Sequence, residues 1–128
     1  MRVLLDTHAL LWFLLDDPQL SLAARLLIED PATEVEVSPA SYWEIAIKIG
    51  KGKYDLPEPY EVFMGRELAE NEFHILPVEI RHTALLTTLP SHHKDPFDRL
   101  LIAQSLVEGI PIVGVDVAFD SYGITRFW

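Results

Sequence analysis

The chain has 128 residues, and its 20 acidic and 10 basic residues give a net charge of −10. A chain of this length buries roughly two-thirds of its unfolded surface without staples, so we expect one domain over residues 1–128. The absence of cysteine excludes disulfides, thiolate metal sites and cysteine nucleophiles. The negative charge argues against simple phosphate neutralisation of nucleic acid. It is compatible with carboxylates clustered around a divalent cation, or with a basic partner.

The amino-terminal segment lacks the features of a membrane anchor or signal peptide. Asp6 and His8 interrupt its apolar run, and Asp16 and Asp17 close it. A signal peptide needs a longer apolar core and a small-residue cleavage site. No stretch of about 18 uninterrupted apolar residues occurs elsewhere. We therefore expect a soluble cytoplasmic protein.

Apolar periodicity and capping residues predict strands that alternate with helices. In chain order we expect a strand at 3–5, helices at 9–15 and 22–28, a strand at 34–37, helices at 39–49 and 60–70, a strand at 73–76, helices at 79–86 and 96–108, and strands at 112–115 and 124–126. Ser38-Pro39 and Asp95-Pro96 each place an N-cap residue before a proline, which is a helix-start signal. This order predicts an α/β fold with three layers, α/β/α, around a mostly parallel sheet of four to five strands.

Four acidic residues are predicted to meet at one edge of this sheet. Asp6 and Asp116 follow predicted strands, Asp98 lies in the first turn of a helix, and Glu44 lies two turns inside a helix among apolar neighbours. Ligands of open parallel sheets bind beyond the carboxyl ends of the strands. Carboxylates that converge there repel one another unless a cation lies among them, and Mg²⁺ or Mn²⁺ suits an all-oxygen site.

Each of three acids also has a purely structural interpretation. Asp6 is placed to cap the next helix, Asp116 to form a turn, and Asp98 to join a capping box with Asp95. Glu44 lies too deep in its helix to act as a cap. Taken singly, the structural roles are favoured; taken together, the four acids favour a metal site.

Four segments resemble, in order and spacing, the successive motifs of PIN-domain proteins: LLDTHALLW at 4–12, SPASYWEIAIKIGKGK at 38–53, HKDPFDRLLIAQ at 93–104 and VGVDVAFDSYG at 113–123. The similarity extends over residues 1–128 and points to the VapC-like branch, the toxins of toxin–antitoxin operons. It implies a Mg²⁺- or Mn²⁺-dependent endoribonuclease that is usually dimeric and is inhibited by a VapB-like antitoxin. It also implies that Asp6, Glu44, Asp98 and Asp116 are the metal-ligating, catalytic acids.

The chain departs from the family pattern at one position. PIN domains often carry Thr or Ser two residues before the last acid, where this chain has Gly114. The role of Asp116 is therefore the least secure of the four. Thr7, next to Asp6, offers an alternative hydroxyl.

The expected reaction is phosphodiester hydrolysis by metal-activated water, which leaves a 5′-phosphate and a 3′-hydroxyl. Lys48, Arg99 and Thr7 are the candidate contacts to an RNA substrate. An i, i+4 ion pair with Glu44 explains Lys48 equally well, and an exposed helix position explains Arg99.

The remaining aromatic and imidazole side chains are given mainly structural roles. We expect His92 and His93 to be exposed loop residues, and His8 to pack near the metal site or to assist catalysis. Trp12 and Trp43 fit a core or an interface.

Three other functions need residues or motifs that can be checked against this sequence. A phosphoacceptor receiver needs an acidic pair after its first strand, and a haloacid-dehalogenase-type phosphatase needs Asp-x-Asp there, whereas this chain has Asp6-Thr7-His8. The third strand also ends in Leu76-Pro77 without the lone Asp of a receiver. A catalytically silent PIN domain that acts as a binding module stays open because of Gly114.

Overall fold

The structure is a computed structural model that describes residues 1–128. It contains five β-strands and six α-helices, with a 3₁₀ helix at Val117–Tyr122 before the last strand. In chain order they are β1 Arg2–Leu5, α1 Thr7–Leu14, α2 Leu22–Glu29, β2 Glu34–Val37, α3 Pro39–Gly50, α4 Tyr60–Glu70, β3 His74–Ile75, α5 Ile80–Leu86, α6 Pro96–Glu108, β4 Ile112–Val113 and β5 Arg126–Phe127. None of the six α-helices combines the length and the apolar character of a membrane-spanning segment.

The five strands form one sheet in the order β3-β2-β1-β4-β5. Every neighbouring pair is parallel, so the predicted α/β class is confirmed and the sheet is wholly parallel. Strand β1 lies between β2 and β4, whereas doubly wound receiver proteins have the order 2-1-3-4-5. The strand order therefore counts against the receiver alternative.

Helix ends follow the capping residues seen in the sequence. The Ser38 side chain accepts a hydrogen bond from the Ala40 N–H at the start of α3. The Asp95 carboxylate accepts from the N–H groups of Phe97 and Asp98 at the start of α6. These caps satisfy amide groups that have no partner inside the helix. Because they fix where α3 and α6 begin, Glu44 lies well inside α3 and Asp98 lies in the first turn of α6, as the sequence predicted.

Four strands differ from their predicted bounds: β1 begins one residue earlier, β3 is shorter by one residue at each end, and β4 and β5 differ more. The fourth strand was predicted to continue to residue 115, but β4 ends at Val113, and Asp116 caps the 3₁₀ helix by accepting from the Ala118 N–H at 2.9 Å. The last strand is shifted to Arg126–Phe127, because Phe127 pairs with Val113 of β4. Strands of two residues carry too little periodicity to fix their ends from sequence.

Both faces of the sheet are covered. Val3 and Leu5 of β1 belong to one apolar cluster, with side chains from α1 to α4, while Leu4 belongs to a second cluster with side chains of α6. Alternate residues of a strand point to opposite faces, so β1 is buried on both sides. This arrangement gives the predicted three layers and leaves the carboxyl edge of the sheet for the acidic residues.

Candidate active site

The four predicted acids lie together at the carboxyl edge of the sheet. Burial above all, together with the charges of Asp98, Asp116 and Glu44, raises the pKa of Asp6 to about 7, against the opposing hydrogen bond from the Ala9 N–H. This repulsion agrees with two contacts: Asp98 and Asp116 lie beside the same histidine, His93, and the Asp6 carboxylate lies beside Gly114, two residues before Asp116. Asp6 and Glu44 are nearly inaccessible, with exposures of 3% and 4%. The site therefore combines crowded negative charge with burial.

Asp6 follows β1 directly and uses one oxygen as a helix cap. Its Oδ1 accepts from the Ala9 N–H at 2.7 Å, so the capping role considered from the sequence is present. Its Oδ2 accepts no hydrogen bond and lies over Gly114, where an added Cβ would come within 2.6 Å of it. Capping and metal binding are compatible, because they use different oxygens.

Glu44 on α3 is held by two side chains. Its Oε1 accepts from the Thr7 hydroxyl at 2.7 Å, and its Oε2 pairs with Lys48 Nζ at 2.7 Å. Although burial acts to lower it, the pKa of Lys48 is raised, mainly by the hydrogen bond to Glu44. The i, i+4 ion pair predicted for Lys48 is thus present. Thr7 is 2% exposed, and its hydroxyl points at Glu44 rather than outward to a substrate.

Asp98 on α6 and Asp116 after β4 meet at His93. The Nε2 atom of His93 lies 2.9 Å from Asp116 Oδ2, with which it makes a hydrogen bond, and 3.0 Å from Asp98 Oδ2. Burial and then the charge of Asp95 raise the pKa of Asp98 to about 6, while His93 acts to lower it. His93, Asp98 and Asp116 also have the spacing of a cation-binding cluster.

The expectation that His93 is an exposed loop residue is wrong, since its side chain is only 14% exposed. His92 next to it is exposed and packs edge-on against Tyr122. The signal that sequence reasoning missed was the short distance in sequence from His93 to the helix cap Asp95 and to Asp98. The Asp95 N–H donates to His93 Nδ1 at 3.2 Å, and this contact holds the ring beside the start of α6.

Arg99 points away from the acids. Its guanidinium donates to the carbonyls of Leu89, Pro90 and His93. These bonds hold the loop that carries His93. In this position Arg99 stabilises the loop next to the site, and its guanidinium is not directed at a bound phosphate.

His8, Trp12 and Trp43 each pack against an aromatic neighbour. The His8 ring stacks on Trp12, with ring centroids 5.2 Å apart, and its Nε2 is 3.3 Å from the Tyr54 hydroxyl. Trp43 is 58% exposed and packs edge-on against Phe97. Trp12 is half-buried and packs against the apolar cluster of Val3 and Leu5, whereas Trp43 presents apolar surface to solvent, so an interface at Trp43 stays a prediction.

The residues present fit a hard divalent cation. Asp6 Oδ2 and Asp98 Oδ1 accept no hydrogen bond and remain free as ligands. Lys48 and His93 are the basic side chains in contact with the four acids. An all-oxygen donor set with excess negative charge is the kind that binds Mg²⁺ or Mn²⁺.

The sequence matches the family model of the PIN domain over residues 3–124. The chain belongs to the PIN domain family. It is VapC-like: it is 33% identical over 123 residues to Ribonuclease VapC22 of Mycobacterium tuberculosis, a match that covers 94% of this chain and 91% of that protein.

Solved structures share the fold of this PIN domain. The VapBC2 complex from Rickettsia felis, bound to a promoter DNA fragment, contains a chain that matches with a TM-score of 0.74 at 14% identity, covering 99% of this chain and 98% of that one. The FitAcB structure from Neisseria gonorrhoeae contains a chain that matches with a TM-score of 0.67 at 18% identity, covering 98% of this chain and 96% of that one. At these identities the match shows the PIN-like α/β fold.

Proposed function

We propose that this PIN domain is a divalent-metal-dependent endoribonuclease and the toxin of a toxin–antitoxin pair. The observation that carries the proposal is the convergence of four carboxylates at one edge of the sheet, two of them nearly inaccessible to solvent. Raised pKa values of Asp6 and Asp98 reflect burial and crowding that a cation would relieve. The relationship to a VapC ribonuclease supplies the substrate class.

Each acid has a distinct place in this proposal. Asp6 and Asp98 offer free oxygens to the cation, while Glu44 and Asp116 are oriented by neighbouring side chains. When bound, Mg²⁺ or Mn²⁺ supplies Lewis-acid polarisation of a phosphate oxygen and activation of water. The expected products carry a 5′-phosphate and a 3′-hydroxyl, because water rather than the ribose 2′-hydroxyl is the nucleophile.

Lys48 is the proposed contact to the RNA backbone. Its side chain is 27% exposed while its Nζ is anchored by Glu44, so a phosphate can approach the same ammonium group. Of the other two residues considered from the sequence, Thr7 holds Glu44 and Arg99 holds a loop. We therefore assign them supporting roles.

The test is cleavage of a structured RNA pool by purified protein with Mg²⁺ or Mn²⁺, with EDTA as a metal-free arm. Asp6→Asn and Asp98→Asn remove one charge each with little change in shape, and Glu70→Gln does the same at an exposed position outside the site. We expect metal-dependent cutting by the wild type and Glu70→Gln, and loss in the other two variants. Equal inertness of all four proteins, with a divalent ion still bound, would favour the silent binding module instead.

We further propose a VapB-like antitoxin as partner, a homodimer as the assembly and the cytoplasm as the location. The solved relatives include toxin–antitoxin complexes, and a net charge of −10 suits a basic antitoxin segment. Growth arrest on expression of this chain alone, relieved by coexpression of an adjacent short reading frame, would support the partner. Light scattering should give twice the 14.6 kDa mass of the chain; a monomer mass would contradict the dimer.

A further inference from the structure

The His93 ring lies where α6 and the turn after β4 bring Asp98 and Asp116 together. Its Nε2 is within 3.0 Å of an oxygen of each acid, and the hydrogen bond runs to Asp116. Two roles fit these distances. His93 is either a nitrogen ligand that shares a cation with the two acids, or a donor that orients them.

The other ring nitrogen distinguishes the two roles. The backbone N–H of Asp95 donates to His93 Nδ1 at 3.2 Å. A nitrogen that accepts a hydrogen bond carries no proton, so the proton of the neutral ring is on Nε2. A histidine that binds metal has the opposite arrangement, in which the non-ligating nitrogen donates its proton to a partner. The contact from Asp95 therefore makes Nε2 a donor.

The ring is held in place without help from the acids. The backbone N–H of His93 donates to the Tyr122 hydroxyl at 2.8 Å, and the His93 carbonyl accepts from Arg99 at 3.3 Å. The ring also packs against Phe119, with centroids 6.1 Å apart. His93 is thus fixed by the loop and by the 3₁₀ helix, and it can impose a position on a carboxylate.

We propose that His93 is a positioning residue that orients Asp116 through its Nε2–H and is not itself a metal ligand. Gly114, two residues before Asp116, has no side chain to do this, and the space beside it is filled by the Asp6 carboxylate. Asp116 Oδ1 is already used to cap the 3₁₀ helix, so His93 fixes the remaining oxygen. The inference rests on the proposed metal site.

The tautomer is tested directly by long-range ¹H–¹⁵N correlation spectra of the histidine rings at about pH 8, with His93→Gln used to assign the signals. We expect His93 to show a protonated Nε2 and an unprotonated Nδ1, both before and after Mg²⁺ is added. A protonated Nδ1, or the loss of the Nε2 proton on Mg²⁺ addition, would overturn the proposal. This readout needs neither RNA nor activity.

Mn²⁺ affinity, measured by electron paramagnetic resonance of the free ion, tests the positioning role. Gln places an amide N–H near the position of Nε2, so we expect His93→Gln to keep affinity within about threefold of wild type. His93→Ala should weaken it on the order of tenfold, as loss of an outer partner does. His74→Ala, at an exposed position on β3, is the control histidine and should change nothing. Equal loss in His93→Gln and His93→Ala, or no loss in His93→Ala, would overturn the proposal.

A double-mutant cycle checks that His93 acts through Asp116. If it does, His93→Ala should cause little further loss of Mn²⁺ affinity in an Asp116→Asn background. Full additivity would mean that His93 contributes independently, as a ligand would. Failure of the wild type to bind Mn²⁺ would count against the proposed metal site, while the ring spectra would still decide the role of His93.

Discussion

The carboxylate of Asp6 fills the space that a side chain at Gly114 would need. An added Cβ would lie 2.6 Å from Asp6 Oδ2, 2.9 Å from its Cγ and 3.1 Å from Phe119 Cε2. The two contacts to Asp6 are shorter than the 3.0 Å at which a real Cβ stops, so a larger residue at 114 requires Asp6 to move. The glycine that departs from the usual PIN pattern is therefore coupled to the conformation of the first acid.

Gly114→Ala should disturb Asp6. We expect loss of the cap to the Ala9 N–H, which costs about 1 kcal/mol of unfolding free energy, together with weaker Mn²⁺ binding. Denaturant unfolding and Mn²⁺ titration measure the two effects. Gly65→Ala is the control, because nothing lies within 4 Å of its added Cβ; in a helix interior it should stabilise by roughly 0.5–1 kcal/mol. If Gly114→Ala leaves both the unfolding free energy and the Mn²⁺ affinity unchanged, Asp6 can move without cost and the coupling to Gly114 is contradicted.

The metal-free protein should become less stable as pH rises from about 4 to 7. The pKa of Asp6 is raised from 3.8 to about 7 in the folded state, so between these values the folded chain binds more protons than the unfolded chain. Stability from this group is complete below the lower value and is lost as pH passes the upper one. The loss is on the order of 4 kcal/mol. Unfolding in denaturant with EDTA, across this range, measures it.

Asp6→Asn supplies the control for that pH dependence. Asn still caps a helix but does not titrate, so the variant should lose much less stability over the same range. Added Mg²⁺ should likewise flatten the profile of the wild type. A wild-type profile as flat as that of Asp6→Asn would contradict a buried, crowded Asp6.

Thr7→Val should destabilise the fold and weaken the metal site. The Thr7 hydroxyl donates to the nearly buried carboxylate of Glu44 at 2.7 Å, and hydrogen bonds to charged groups contribute about 1.5–3 kcal/mol. Thr7→Ser keeps the hydroxyl and should retain most of the stability. Denaturant unfolding of both variants checks this. Equal losses would assign the effect to packing rather than to the hydrogen bond.

Arg99→Lys should loosen the loop at residues 89–95. A lysine ammonium cannot reproduce the planar fork that reaches the carbonyls of Leu89, Pro90 and His93. We expect faster amide hydrogen exchange in this loop and weaker Mn²⁺ binding through His93. Arg25→Lys is the control, since Arg25 pairs with the exposed Asp16 and such pairs contribute little. Unchanged amide exchange in Arg99→Lys would contradict the claim that Arg99 holds this loop.

Much of the fold could be predicted from local signals in the sequence. Ser38-Pro39 and Asp95-Pro96 located two helix starts, and short apolar runs identified the buried strands β1 and β4. The locations of the four acids could be predicted because they follow from the order of strands and helices and do not depend on details of packing. Their surroundings were harder to predict, because His93 and Arg99 lie where they do through tertiary contacts. The Tyr122 hydroxyl that holds His93 comes from 29 residues away, and no periodicity records such a contact.

The central claim is that Asp6, Glu44, Asp98 and Asp116 act as one cation-binding centre, and Mn²⁺ titration of the purified protein tests it most directly. The account predicts saturable binding by the wild type and by the exposed-site control Glu70→Gln, with binding strongly weakened in Asp6→Asn and Asp98→Asn. Equal Mn²⁺ affinity in all four proteins would contradict it.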